Sequence, residues 1–295
     1  TSNKWLRAGY SKNLREHLNT KTTVQAVIDF GDLPVFGAIA YPQIIIFRKH
    51  VPPKEHTLRA LTVDDLSAVE HLSEVVQAEA WEQPCASLRA DGWALEKPKV
   101  SDLLKKLRQA GIPLGEYLTG KTYYGIKTGY NKAFVIDQVK RDQLIAEHPS
   151  SVEVIKPFLR GRDVKRWSVE FAEQYLIKIE SSQNVSHPWS GRSEPEAERI
   201  FADTYSAIYA HFAPYREQLI KRCDQGHYFW ELRACAYWEE FEKPKIVYPN
   251  ICRRNEFAWD EEQFYTNQKA FIIPNASEYL LGILNSSVVT WLFDK

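Results

Sequence analysis

The chain has 295 residues, 38 basic against 38 acidic, 44% apolar residues and nine Trp. That length admits two domains, and that composition belongs to a packed chain rather than a disordered one. Zero formal net charge argues against a generic polyanion binder, whose domains are usually basic, but leaves room for a local basic face.

The first block reads as α/β. Leu14 and Leu18 lie four apart in a short helix that Ser11 can cap. Val24 to Phe30 reads as a strand closed by Gly31-Asp32, and Ile44–Phe47 reads as a strand covered on both faces, because its apolar run is nearly continuous. Pro52-Pro53 punctuates the end of this block. Residues 54 to 112 read as a helical connector. One helix is expected through Val63–Ala80 and another over Asp102–Ala110, capped by Ser101 and stopped by Gly111 and Pro113. The remainder, 113 to 295, reads as α+β. Strands are expected at Lys121–Lys127, Ala133–Asp137, Tyr175–Glu180, Lys245–Tyr248 and Ala270–Ile273. Phe201, Tyr205, Ile208 and Phe212 give one apolar stripe to a helix opened by Pro195, and Ser277 caps a last helix through Leu284.

Four segments could carry chemistry. In Gly125–Phe134 two glycines bracket a polar turn, which can bring backbone N–H groups, Lys127, Thr128, Asn131 and Lys132 to a phosphate or a base edge. A plain hairpin with a Gly-rich turn would leave the same pattern. Lys156–Trp167 concentrates Lys156, Arg160, Arg162, Lys165 and Arg166 against Asp163 alone. Arginines beside a Trp suit a nucleic-acid groove, and a solvated charged turn would look alike. Arg222–Arg233 holds His227 and Asp224, an acid/base pair if they meet, or else aromatics packed on a sheet beside a Gln225-Gly226 turn. Arg253 and Arg254 follow a strand end, where loops often carry binding groups and where a plain surface loop is equally at home.

Absences narrow the field further. The sequence has no Walker loop, no H-E-x-x-H, no G-x-S-x-G and no G-x-G loop after a strand, so no complete active site is expected in it. Cys85, Cys223, Cys235 and Cys252 form no C-x-x-C pair, so no metal site is expected. Cys223 and Cys235 read as small core residues, and a reduced, cytoplasmic setting follows. No run of 18 apolar residues and no apolar core in Thr1–Tyr10 are present, so neither a membrane span nor a secretory signal is expected. The lack of any Met suggests a piece of a longer chain.

The order of these segments carries a resemblance. Asn3-Lys4-Trp5, Leu14-Arg15, Val27–Gly31, Val35-Phe36 and Ile44–Lys49 resemble the end of the catalytic domain of adenine-specific DNA methyltransferases. Gly125–Phe134, Lys156–Trp167, Trp230–Arg233, Lys243–Pro249 and Leu280–Ser286 resemble the TaqI-like specificity domain of type IIG restriction–modification enzymes, a layout that phage-defence methyltransferases share.

The resemblance implies a fold and a function. The fold is the α/β tail of a Rossmann-like methyltransferase domain over 1–53, the helical connector over 54–112, and an α+β target recognition domain over 113–295. Members of this family flip the target adenine out of the duplex and methylate its exocyclic amine with S-adenosylmethionine. The Asn-Pro-Pro-Tyr loop that holds the amine and the Gly-containing cofactor loop are both missing from these residues. They are expected before Thr1, so the chain alone is expected to be inactive and to bind no cofactor. Phe36 falls where the family stacks an aromatic ring on the flipped base, and a core Phe at a strand start would occupy the same position. The implied partner is double-stranded DNA, met by Lys127, Thr128, Asn131, Lys132, Arg160, Arg162, Lys165 and Arg166 with Arg253 and Arg254 behind them. The rival reading is a protein-interaction module of a defence complex, without DNA contact, whose many aromatics form a partner surface.

Overall fold

The structure, a computed structural model, describes residues 1–37, 40–118 and 121–293. The chain divides into two compact units, Thr1–Pro113 and Leu114–Lys295. No helix among the described residues is long and apolar enough to cross a membrane.

The first unit is built on a four-stranded mixed sheet of β1 (Thr23–Asp29), β2 (Gln43–Arg48), β3 (Thr57–Thr62) and β4 (Trp81–Pro84), in the order β2-β1-β3-β4. Alternation along β1, shifted by an irregularity in its register between Val24 and Ala26, feeds both faces. Val24 and Val27 join Leu58, Ala60 and the helix residue Leu18 on one side, while Ile28 joins Phe30, Leu61 and Val63 on the other. The helix expected after Ser11 runs over Lys12–Lys21. Its Arg15 is fully buried and donates to the carbonyls of Trp5 (2.5 Å), Ala8 (2.9 Å) and Ala90 (2.7 Å), tying the amino-terminal turns to the loop before Trp93.

Four expectations for this unit are corrected. The run Ile44–Phe47 does not lie in a doubly covered strand, because β2 is the edge of its sheet and leaves Ile44 40% and Ile46 48% exposed. Residues 54–112 are not only helical, since β3 pairs in parallel with β1 (Val27 opposite Ala60) and β4 pairs with β3. Within this stretch the expected helix over 63–80 breaks at His71 into Ser67–Glu70 and Leu72–Glu79. The next helix starts earlier than Ser101 predicts, at Pro98, where the proline ring suits the first helical position.

The second unit contains β5 (Tyr123–Tyr124), β6 (Val135–Asp137), β7 (Ile155–Leu159), β8 (Gln174–Ile177), β9 (Lys245–Pro249), β10 (Ala258–Asp260), β11 (Tyr265–Thr266) and β12 (Ala270–Pro274). They form two four-stranded sheets, β10-β9-β12-β5 and β11-β7-β8-β6. The short turn Asn267–Lys269 carries the chain from one sheet to the other. Helices Glu194–Thr204 and Ser206–Phe212 replace the single expected helix. The break follows Thr204, whose hydroxyl bonds back to the Ile200 carbonyl at 2.7 Å, a contact that bends helices. Aromatic rings build much of this unit's interior: Tyr228, Trp230 and Phe201 stack in series with centroids 4.9 and 5.0 Å apart. Of the nine Trp, Trp167 alone is exposed, while Tyr10, Phe36, Tyr279 and Phe293 are exposed as well.

Candidate nucleic-acid interface

Gly125–Phe134 does not form a hairpin. Tyr123–Tyr124 pairs with β12, Ile126 bridges to Asn267, and a short helix Asn131–Phe134 leads into β6 of the other sheet. Two hydrogen bonds anchor the entry, from Gly125 N to Ala270 O (2.9 Å) and from Ile126 N to Thr266 O (2.6 Å). A Cβ on Gly125 would stand 2.0 Å from the Asn267 carbonyl oxygen, so only glycine permits this approach. Gly129 turns the loop at φ +70°, in the left-handed region. Thr128 is buried and its hydroxyl donates to Asn131 Oδ1 at 2.5 Å, whereas Lys127 and Lys132 are exposed.

A buried arginine holds this loop from below. Arg222 donates to the carbonyls of Thr128, Asp224 (2.9 Å), Phe229 (3.0 Å) and Glu231, and its guanidinium lies over the Phe134 ring. Burial pushes its pKa down to about 10. Glu231, also fully buried, accepts from Ser182 N (3.0 Å), His227 N (2.8 Å) and Trp189 Nε1 (2.9 Å).

Arg222–Arg233 is thus a support for the loop above it, with no acid/base pair. Asp224 accepts from Arg233 (3.2 Å), and no hydrogen bond joins it to His227 among the described residues. The core reading of two cysteines is also corrected, since Cys223 is exposed and Cys235 is half-buried. Among the described residues no group of three His, Cys, Asp or Glu could hold a metal ion.

The second loop leaves β7 through Arg160. Its Nε and Nη2 grip the buried Asp163 carboxylate at 2.9 and 2.8 Å, and that hydrogen bonding raises the arginine's pKa. Arg160 therefore stiffens the loop. Lys165 folds back onto the Arg162 carbonyl (2.7 Å), which leaves the Arg162 side chain exposed. Arg166 turns elsewhere, donating to the Asn285 carbonyl (2.6 Å) at the end of helix Glu278–Leu284. Cations are favoured at helix carboxy-termini, so Arg166 has a structural partner there.

Both loops abut the turn Asn267–Lys269. Asn267 Oδ1 accepts from Gly161 N (3.3 Å) and Lys269 N (3.0 Å), and a Cβ on Gly161 would meet the Lys269 carbonyl oxygen at 2.4 Å. Two open depressions flank this turn. One, of about 460 Å³, is lined by Lys127, Thr128, Asn131, Asp224 and Gln268. The other, of about 620 Å³, is lined by Arg160, Arg162, Lys165, Arg253 and Glu256. Asn267 and Lys269 line both. In a chain of zero net charge, the larger depression is lined by five basic residues, counting Lys269, and by the acid Glu256; two of the five have acidic partners nearby, Arg160 with Asp163 at 2.8 Å and Lys165 with Glu170 at 3.9 Å.

The structure thus brings together most of the cations singled out in the sequence. Lys132, Arg166 and Arg254 line neither depression. Phe36 belongs to the first unit and is 61% exposed, so it is not a core residue. The turn Asn267–Lys269 escaped the sequence reading. Its one local signal is Asn267 between two short apolar runs, a residue that favours turns.

Comparison with known proteins finds a family match that lies within the second unit. Residues 156–295 match the model of the TaqI-like C-terminal specificity domain. No curated protein matches the chain. Among solved structures, the type IIL restriction–modification enzyme MmeI, determined in complex with DNA, is 12% identical and covers 97% of this chain at a TM-score of 0.51. The type IIG restriction endonuclease BpuSI is 13% identical over 96% of the chain, at a TM-score of 0.37 too low to bear on the fold. This chain spans 34% of the MmeI chain and 35% of the BpuSI chain. The loop Lys127–Asn131 and strands β5 and β6 precede the matched segment yet complete the same two sheets. Residues 156–295 are thus similar to the TaqI-like C-terminal specificity domain family.

Proposed function

We propose that the face around the turn Asn267–Lys269 meets duplex DNA, and that the chain is the sequence-reading part of a restriction–modification methyltransferase. The observation that carries this reading is the gathering of Lys127, Arg162, Lys165, Arg253 and Lys269 around two joined depressions in an otherwise neutral chain. Exposed cations on a rigid backbone suit phosphate, and groups between them can reach base edges. Arg160 and Arg222 shape the face without being free to grip a ligand.

The finer reading follows the sequence resemblance. The methylated group is the exocyclic amine of adenine, and the methyl donor is S-adenosylmethionine, bound by residues other than those of this chain. Phe36, exposed after β1, stacks on the extruded base. The mixed sheet of the first unit closes a Rossmann-like catalytic domain. The enzyme works in the cytoplasm in phage defence, a setting that suits the exposed free thiols Cys223 and Cys252.

Fluorescence anisotropy with a labelled duplex across a salt series tests the DNA reading. If ~4 to 5 cations meet phosphates, log affinity falls with log salt at a slope of about −4. Absence of binding at low salt, or binding that ignores salt, would refute it and return the rival protein-interaction reading.

A further inference from the structure

The turn Asn267–Lys269 is held on all sides yet presents free side chains. Asn267 N donates to Leu159 O (2.9 Å), Ala270 N to Asn267 O (2.9 Å) and Asn250 N to Lys269 O (2.8 Å). The Asn267 side chain clamps the turn to the second loop, and Gly125 and Gly161 let both loops close on its backbone. Gln268 sits at the tip, exposed, and no hydrogen bond engages its amide among the described residues. It lines the depression that Lys127 borders, and its neighbour Lys269 lines both.

A neutral amide fixed among cations does a different job from theirs. Phosphates are served by the surrounding lysines and arginines. An amide offers one acceptor and one donor side by side, the pattern that matches N6 and N7 of adenine in the major groove. A reader must also be held by a rigid supporting shell, which this turn has. We propose that Gln268 is a specificity-determining residue that reads the base edge of an adenine in the recognised duplex. This rests on the DNA reading given above.

The test is selection from a randomised duplex pool with the 295-residue chain, Gln268→Ala and Gln268→Glu, followed by sequencing of the bound fraction. The wild-type chain is expected to enrich adenine at one position. Gln268→Ala should lose about tenfold of that preference, ~1.4 kcal/mol, while preferences elsewhere and the melting temperature stay put. Gln268→Glu should move the preference at that same position towards cytosine, whose N4 amine donates to a carboxylate. Unchanged preferences in both variants, or a wild-type chain that binds duplexes without base preference, would overturn the role of Gln268 and leave DNA binding standing. A chain that binds no duplex at all would instead overturn the DNA reading, and this inference with it.

Discussion

Replacing Gly125 by Ala tests whether the two loops and the turn Asn267–Lys269 form one rigid face. The added Cβ would lie 2.0 Å from the Asn267 carbonyl oxygen and 2.4 Å from both the Asn267 carbonyl carbon and the Thr266 oxygen. Ordinary contact needs ~3.5 Å or more, so the backbones must separate by over an ångström. No side chain can rotate away, and the bonds from Gly125 N and Ile126 N into the turn stretch with them. Overpacking costs typically ~1–3 kcal/mol, and an obstacle made of backbone puts this site near ~3 kcal/mol. For a unit of this size that lowers the melting temperature by roughly 6–12 °C. Gly282→Ala is the matched control, because nothing lies within 4 Å of its added Cβ inside helix Glu278–Leu284. It should stabilise by ~0.5–1 kcal/mol. Urea denaturation followed by Trp fluorescence reads both. A Gly125→Ala protein as stable as the parent, or a Gly282→Ala protein that loses as much, would refute the close approach.

The ion pair of Lys245 and Asp260, 2.5 Å apart with both side chains fully buried, should be costly to break. Burial pushes the carboxyl up and the amine down, and Lys245→Met leaves the buried Asp260 charge without its counter-ion, a loss of ~3–5 kcal/mol that Lys245→Met with Asp260→Asn, which keeps an acceptor for the N–H groups of Glu262 and Phe264, should partly recover in the same denaturation assay. Arg160→Ala and Arg162→Ala should separate support from grip. The first orphans the buried Asp163 and lowers the melting temperature; the second leaves the melting temperature alone and reduces the salt slope of DNA binding by about 1. His211 predicts a pH effect. Burial holds its imidazole below the usual 6.5 despite the bond to the Ala133 carbonyl, so the unfolded chain binds that proton more readily. The stability due to neutral His211 is full above pH 6.5 and lost as pH falls through its folded value. Denaturation at about pH 7.5 and pH 5.5 should show a smaller acid loss in His211→Gln than in the parent.

Local patterns in the sequence foretold the elements whose causes are local. The helix after Ser277 begins as its cap predicts, with the hydroxyl accepting from Leu280 N at 3.2 Å. Strands β1, β9 and β12 lie where their apolar runs place them, and the two basic loops sit on the candidate face. What stayed hidden depends on distant partners. The exposure of Ile44 and Ile46 follows from β2 being an edge, and edge position is decided by which strands pair, not by the run itself. Arg166 looks identical to Arg162 in sequence, yet it is drawn to Asn285, 119 residues away. Nothing local to Arg222 marks its place, buried beneath Thr128, 94 residues earlier. The turn Asn267–Lys269 gains its meaning only when Gly125 and Gly161 close on it.

Lysine footprinting locates the DNA-facing surface. The chain is acetylated with and without a saturating random-sequence duplex at low salt, and modification is read by mass spectrometry at each lysine. Strong protection is expected at Lys127, Lys165 and Lys269, with Lys221, exposed and paired with Glu217, unchanged. Equal protection of Lys221, or none at the three lysines under conditions where the duplex is bound, would contradict the proposed interface.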